Sequence, residues 1–167
     1  MAFAGREAEF DAAFSWLKKL SDFCGCAPEN AFCVPGNHDV DRQVYENSLN
    51  LRNLHDQLRP THPDRVDELL GDALRDTDAA ATLFRPLERY NRFAAKFQCS
   101  TAPGALVWMH RVGLNDGSTL VLRGANSALV SDLTDDNKSR KLILGSLQPE
   151  RSGTASRRRC FSFATIR

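Results

Sequence analysis

Residues 31–42 read Ala31-Phe32-Cys33-Val34-Pro35-Gly36-Asn37-His38-Asp39-Val40-Asp41-Arg42. A short apolar run, residues 31–34, ends at Pro35-Gly36, and polar side chains follow at once. This pattern predicts a buried strand that leads into a tight turn. Ligands bind at the carboxyl ends of strands in open α/β sheets, so the polar residues of this turn are the first candidates for a functional site.

The residue types in this turn suit metal and acid–base chemistry. Asn37 offers an amide oxygen, which is a hard ligand for a divalent cation. His38 can bind a metal or act as a general acid or base near neutral pH. Asp39 can hold the tautomer of that imidazole and raise its basicity. The alternative interpretation is a solvated turn in which His38 and Asp39 cap the next helix.

The same residues resemble the Gly-Asn-His-Asp/Glu signature of the calcineurin-like metallophosphoesterases. The extension Val40-Asp41-Arg42 resembles a bacterial branch of that superfamily, whose motif is close to V-P-G-N-H-D-V-D-R. The resemblance implies an α/β fold, here a partial α/β/β/α sandwich with a helical insertion after the turn. It also implies hydrolysis of a phosphoester by two divalent cations, manganese, iron or zinc, which activate a bridging hydroxide.

The resemblance also assigns roles to individual residues. Asn37 matches the asparagine that binds the second metal, His38 matches the histidine that protonates the leaving oxygen or stabilises its charge, and Asp39 matches the carboxylate that orients this histidine. Arg42 is a candidate phosphate contact, and its alternative is an exposed residue in the first turn of a helix. Asn126 is a second candidate, and its alternative is a turn residue that ends a strand.

Other motifs of the family are missing from this sequence. The bridging aspartate, the upstream Asp-x-His pair and the later histidines have no counterparts, and the chain begins a residue or two after the expected position of the bridging aspartate. One asparagine cannot hold a cation alone. We therefore expect the polypeptide by itself to be inactive or nearly so. The alternative function is a non-catalytic remnant or interaction module of the same fold.

Length and composition are those of one globular domain. The chain has 167 residues, with 42% hydrophobic and 26% charged side chains and a formal net charge of +1. This balance gives no support for nucleic-acid binding, although it does not exclude it. No apolar run is long enough to cross a membrane and no signal peptide is recognisable, so the predicted location is cytoplasmic. The expected partners are a phosphoester substrate and, through exposed sheet edges, a second copy of the chain.

The chain has five cysteines, and this odd number in a chain predicted to be cytoplasmic indicates free thiols. Cys24, Cys26 and Cys33 offer a third and weaker interpretation, a small metal or redox site. Their spacing is not the paired Cys-x-x-Cys of structural zinc sites.

The resemblance implies a partial phosphoesterase domain over residues 1–150, and the lack of apolar periodicity after it indicates an irregular basic tail, residues 151–167. Within the domain we expect a helical insertion at about 44–83, in which His55 and His62 are exposed. The other predicted elements are two helices, from Arg6 to about Phe23 and from Leu83 to Phe97, and an N-cap at Asp41. We also expect a β-hairpin with strands 105–110 and 118–123 around the turn Asn115-Asp116-Gly117, and a further strand at 141–145.

Overall fold

A computed structural model describes residues 4–59, 63–132 and 159–163 of the chain. These residues form helices and a small sheet, so the fold class is mixed α/β, as predicted. The helices are α1 (Glu7–Cys24), α2 (Arg42–Asn47), α3 (Leu49–Leu58), α4 (Pro63–Arg75), α5 (Thr77–Phe84) and α6 (Glu88–Ala95). The strands are β1 (Val107–Gly113), β2 (Thr119–Ala125) and β3 (Arg159–Phe163). None of the helices in these described ranges is both long and apolar enough to cross a membrane.

Helix α1 confirms the first predicted helix. The Glu9 carboxylate accepts a hydrogen bond from the backbone N–H of Arg6 at 2.9 Å and so satisfies one donor at the start of the helix. The helix ends where Gly25 adopts φ 65°, a left-handed conformation that glycine reaches at little cost.

Helices also fill the predicted insertion after the turn. Ser48 caps α3 through a hydrogen bond from the Leu51 N–H, and Asp76 caps α5 through bonds from the N–H groups of Asp78 and Ala79. The prediction that His55 is exposed is wrong, because only 1% of its surface is exposed. It lies on the side of α3 that carries the buried Leu51 and Leu58.

A single helix from Leu83 to Phe97 is the second prediction that the structure corrects. Helix α5 ends at Phe84, a 3₁₀ turn covers Arg85–Leu87, and α6 then begins at Glu88. Pro86 lies in the 3₁₀ turn. Proline has no N–H to donate, so it favours an interruption of this kind between two helices.

The β-hairpin is confirmed, with both strands shifted slightly towards the C-terminus. Strands β1 and β2 pair antiparallel, with Trp108 opposite Gly124 and His110 opposite Leu122. Gly117, at φ 79°, closes the predicted turn by donating to the carbonyl of Leu114 at 3.0 Å. The hairpin therefore follows from local turn chemistry.

Strand β3 pairs parallel to β2 and completes a sheet of order β1-β2-β3 in the described part of the chain. These five residues depart from the irregular tail predicted for 151–167. The predicted strand at 141–145 and the side chain of His62 lie outside the described residues.

The predicted strand at residues 31–34 is also corrected. Its backbone is extended at Ala31, but these residues are not a strand of the described sheet. The carbonyl oxygen of Cys33 instead accepts a hydrogen bond from the indole N–H of Trp108 at 2.8 Å. The carbonyl of Cys33 is thus paired with the Trp108 side chain and not with the backbone of a neighbouring strand.

Aromatic side chains of α1 and α6 form the core next to this segment. The ring centroids of Phe10 and Phe93 are 5.5 Å apart, those of Phe93 and Phe97 are 5.2 Å apart, and those of Phe14 and Phe97 are 6.0 Å apart. This packing sets the position of residues 31–34, since Ala31, Cys33 and Val34 pack against the same core.

Candidate functional site

The four residues Gly36–Asp39 form a closed turn. The N–H of Asp39 donates to the carbonyl of Gly36 at 3.0 Å, and the Asp39 carboxylate accepts from the N–H of Gly36 at 2.8 Å. Asn37 and His38 lie between these two reciprocal bonds, and both are partly exposed. The turn therefore holds Asn37 and His38 on a backbone that these two hydrogen bonds fix.

The N-terminal segment packs directly against this turn. Gly5 is buried at φ 63°, and a Cβ atom placed on it would lie 2.6 Å from the carbonyl carbon of Val40 and 2.8 Å from the carbonyl oxygen of Asp39. Only a residue without a Cβ allows such an approach. Gly5 therefore supports the candidate turn from a position that sequence patterns did not single out.

Asp41 joins the turn to α2, to α6 and to the 3₁₀ turn at Arg85–Leu87. Its Oδ1 accepts from the N–H of Gln43 at 3.1 Å, which confirms the predicted N-cap of α2. Its Oδ2 lies 2.7 Å from Nη1 of Arg89 on α6, and its own N–H donates to the carbonyl of Pro86 at 2.9 Å. Only 6% of Asp41 is exposed, although the Arg89 side chain is 34% exposed, so solvent and salt screen the attraction between these charges less than at the surface.

Arg89 continues this electrostatic connection to α1. Its Nε lies 3.8 Å from Oε2 of Glu7, and the same carboxylate oxygen lies 2.6 Å from Nη2 of Arg92. Helix α6 is thereby linked to both the candidate turn and the start of α1. Nothing in the sequence pattern around Arg89 signals this role, because its partners are distant along the chain.

Trp108 fixes the other end of the candidate segment. Its indole donates to the Cys33 carbonyl, and its ring stacks against Phe32 with centroids 6.0 Å apart. A Cβ atom on Gly124 would overlap the Trp108 ring, so the indole lies across the glycine on the neighbouring strand. The hairpin thus positions the segment that precedes the turn.

Arg42 and Asn126, the two candidate phosphate contacts, lie in different surroundings. Arg42 is the first residue of α2 and is partly buried. Asn126 follows β2 and is fully buried, and its amide donates to the hydroxyl of Thr101 at 3.2 Å and accepts from the N–H of Ala128 at 3.0 Å. These bonds are those of a residue that holds a turn after a strand, which was the alternative interpretation for Asn126.

The described residues supply few of the ligands that a pair of metal ions would need. Within residues 4–59, 63–132 and 159–163, no group of three or more histidine, cysteine, aspartate or glutamate residues could hold a metal ion. Asn37 supplies one amide oxygen, whereas a two-cation site needs several fixed carboxylate and imidazole ligands. The described residues alone therefore do not fit the implied pair of metals.

The side chains of four cysteines are described, and all four are free thiols. Cys24 and Cys26 are exposed, Cys33 is partly buried and Cys99 is buried. Cys24, Cys26 and Cys33 are thus in different environments, and no cluster in the described ranges matches the cysteine metal site considered from the sequence.

No protein-family model, curated protein or solved structure matches the chain. The candidate site is therefore defined by the residues and contacts given above.

Proposed function

We propose that this chain carries part of the catalytic site of a metal-dependent phosphoester hydrolase. The observation that supports the proposal best is the closed turn of the Gly-Asn-His-Asp motif, with Asn37 and His38 partly exposed on it. In this proposal Asn37 is a metal ligand, His38 protonates the leaving oxygen, and Asp39 orients the turn and the imidazole. The sandwich fold of the calcineurin-like family remains part of the proposal.

Asp39 also has a structural role, because its hydrogen bonds hold the turn together. One carboxylate oxygen of Asp39 accepts from the Gly36 N–H. Replacing Asp39 would therefore loosen the backbone that carries His38, in addition to any direct effect on the imidazole. For this reason His38 is a cleaner target than Asp39 for a test of the chemistry.

We also propose that the 167 residues on their own turn over little or no substrate. The described part of the chain contributes too few donors for two cations. Arg42 and Asn126 are proposed contacts to phosphoryl oxygens, and Arg42 is the stronger candidate because it lies in the extension of the motif and is only partly buried, whereas Asn126 is fully buried. A guanidinium can bind two phosphoryl oxygens at once.

The first experiment is a calorimetric titration with manganese of the wild-type chain, Asn37→Ala and Asn53→Ala. Asn53 is exposed on α3, so its replacement is the matched control. We expect no tight binding to any of the three. Tight binding that is lost only in Asn37→Ala would overturn the inactivity proposal and support the metal site.

The second experiment measures hydrolysis of p-nitrophenyl phosphate and bis(p-nitrophenyl) phosphate with manganese present. It compares the 167-residue chain with its His38→Ala variant. We expect little or no turnover of either substrate by either protein. Robust turnover by the wild-type chain that falls by roughly 10²–10⁴-fold in His38→Ala would overturn the inactivity proposal and support the hydrolase, whereas robust turnover that His38→Ala leaves unchanged would contradict the role proposed for His38.

One observation favours the alternative, an interaction module. Trp16, Leu20 and Phe23 are spaced along one side of α1 and are 51%, 40% and 89% exposed. Large apolar side chains in a row mark association surfaces more often than isolated ones do. Light scattering during size exclusion would test this, with Phe23→Ser expected to reduce any dimer. Lys18→Ser is the control, because Lys18 is exposed on the opposite side of α1.

A further inference from the structure

A cavity of about 230 Å³ lies between α1, α6 and residues 31–34 and is partly open to solvent. Two alanines on its wall leave room for it, Ala13 on α1 and Ala31 directly after the 3₁₀ turn Pro28–Asn30. In another protein, an engineered apolar cavity of about 150 Å³ holds benzene. The present cavity therefore has room for a benzene ring that carries a small substituent.

Four aromatic side chains on α1, on α6 and just after α6 form one side of the cavity: Phe10, Tyr90, Phe93 and Phe97. The rings of Phe10 and Tyr90 meet edge to face, with their centroids 6.3 Å apart, and Phe10 also contacts Phe93, which contacts Phe97. Because each ring is held by its neighbours, the cavity is formed before any ligand enters. Aromatic walls favour an aromatic ligand, whose ring packs against theirs edge to face or offset.

Tyr90 brings a hydroxyl to this apolar wall. Only 2% of Tyr90 is exposed, and its buried hydroxyl has no hydrogen-bond partner among the described residues. Burial raises the pKa of Tyr90, so the hydroxyl keeps its proton and can both donate and accept. Nearly all buried polar groups in folded proteins have a partner, so the Tyr90 hydroxyl points to a polar atom that a ligand brings with it.

Asp39 limits the charge that a ligand can carry. Among the described residues that line the cavity, Asp39 is the charged one. Its carboxylate accepts a hydrogen bond from the N–H of Gly36 at 2.8 Å, so it is held in place by the candidate turn. A second negative charge in a cavity with apolar walls would be repelled and poorly solvated. The cavity therefore suits a neutral molecule.

We propose that this cavity binds a small neutral aromatic molecule with one hydroxyl group, a substituted phenol, whose hydroxyl pairs with that of Tyr90. The aromatic walls take the ring, and Tyr90 supplies the hydrogen bond that orients it. This site is separate from the proposed phosphoester chemistry and does not depend on it.

Three probes of similar size test the class of ligand: 4-methylphenol, toluene and 4-methylbenzoate. Each is titrated into the 167-residue chain while its amide signals are followed by NMR. We expect 4-methylphenol to bind roughly fivefold to tenfold more tightly than toluene, the effect of one hydrogen bond, and 4-methylbenzoate not to bind. Absence of binding by 4-methylphenol would mean that the cavity takes only water and would overturn the proposal. Equal binding of 4-methylphenol and 4-methylbenzoate would overturn the choice of a neutral ligand.

Tyr90→Phe tests the hydrogen bond, because it keeps the ring on the wall and removes the hydroxyl. The preference for 4-methylphenol over toluene should disappear in this variant, while toluene still binds as it does to the wild type. A preference that persists in Tyr90→Phe would contradict the proposed pairing. Circular dichroism shows whether the variant is folded. If it is not, nuclear Overhauser effects in the wild type decide, since 4-methylphenol should contact Phe10 and Phe93, and contacts only to the exposed Trp16 would overturn the proposal.

A matched pair of alanine substitutions tests the location. Ala27 and Ala31 flank the same 3₁₀ turn and both have extended backbone, but Ala31 lines the cavity whereas Ala27 is exposed. Ala31→Leu fills part of the cavity and should weaken binding of 4-methylphenol by roughly tenfold or more, and Ala27→Leu should leave it unchanged. Equal affinities of the two variants for 4-methylphenol would show that the ligand binds elsewhere.

Discussion

His55 makes the unfolding free energy depend on pH at the scale of one residue. Only 1% of the side chain is exposed, its ring lies 5.2 Å from that of Tyr45, and neither ring nitrogen has a hydrogen-bond partner among the described residues. Burial, and then the charge of Arg59, lowers the pKa of His55 to about 4. The neutral form is therefore the one that the folded chain accommodates.

The direction of the pH effect follows from this lowered pKa. His55 binds a proton near pH 6.5 in the unfolded chain but only near pH 4 in the folded chain. Its contribution to the unfolding free energy is therefore complete above pH 6.5 and is lost as the pH falls towards 4. The loss reaches about 3 kcal/mol. Urea unfolding at pH 7, 5.5 and 4.5 should show this slope in the wild type and a flatter one in His55→Phe. Parallel slopes in the two proteins would contradict it.

Gly5 allows a matched comparison with Gly25. Both have positive φ, at 63° and 65°, but a Cβ on Gly5 would meet the backbone of Val40, whereas nothing lies within 4 Å of one on Gly25. Gly25→Ala should cost about 1 kcal/mol from conformational strain alone. Gly5→Ala should cost roughly 3 kcal/mol, because a steric term is added.

Chemical denaturation measures both costs. Amide chemical shifts of Asn37 and His38 show whether the candidate turn moves, and only Gly5→Ala should shift them. Equal destabilisation by the two substitutions would show that the close approach of Gly5 to Val40 does not affect the unfolding free energy.

At the scale of elements, the hairpin supports the segment that precedes the turn through Trp108. Gly124→Ala would force the indole away from β2 and break its hydrogen bond to Cys33. We expect a loss of about 3 kcal/mol, from overpacking together with the lost bond. Gly113→Ala, in β1 with open space around it, is the control and should cost far less.

Trp108→Phe tests the same contact from the side of the tryptophan. It removes the indole N–H and the pyrrole part of a buried ring, so thermal unfolding should report a loss of roughly 2–3 kcal/mol, from the missing hydrogen bond and the space left behind. A Trp108→Phe chain as stable as the wild type would show that the contact of Trp108 with Cys33 and Gly124 contributes nothing measurable.

At the scale of the whole molecule, Arg59 connects the helical part to the segment after β2. Its Nη1 lies 2.6 Å from Oδ2 of Asp132, its Nε donates to the carbonyl of Val130 at 2.9 Å, and the two charged side chains are 12% and 5% exposed. Arg59→Leu leaves a buried carboxylate without this partner and should destabilise the chain by about 3–5 kcal/mol.

The control for Arg59 is a surface ion pair. The side chains of Glu88 and Arg92 are 69% and 56% exposed, and Oε1 of Glu88 lies 3.8 Å from Nη1 of Arg92. Glu88→Gln should therefore change the unfolding free energy by less than about 1 kcal/mol. Guanidinium denaturation of both variants gives the comparison. A similar small effect for Arg59→Leu would mean that the two parts of the chain are not held together by this pair.

Local signals in the sequence predicted the features whose causes are local. Helix α1 follows from apolar spacing, the hairpin from its Asn-Asp-Gly turn, and the cap at Asp41 from the residue type before a helix. The closed turn at Gly36–Asp39 also depends on bonds within four residues.

The remaining features depend on partners far along the chain. Trp108 and Cys33 are 75 positions apart, and the burial of His55 depends on how α3 packs against other helices. The continuous helix expected from Leu83 failed because apolar spacing continues across Pro86 while the hydrogen bonding does not. Arg89 gave no signal, since an arginine on an amphipathic helix is ordinary until its partner Asp41 is located.

The chain has two tryptophans that differ in exposure, so fluorescence can report on the contact that Trp108 makes with Cys33. Trp16 is 51% exposed, whereas Trp108 is 6% exposed with its N–H bound beside the candidate turn. In a Trp16→Phe chain, the remaining fluorescence would come from Trp108 alone. Its emission wavelength would then report, in real time, whether residues 31–34 stay packed against the hairpin as substrates or cations are added.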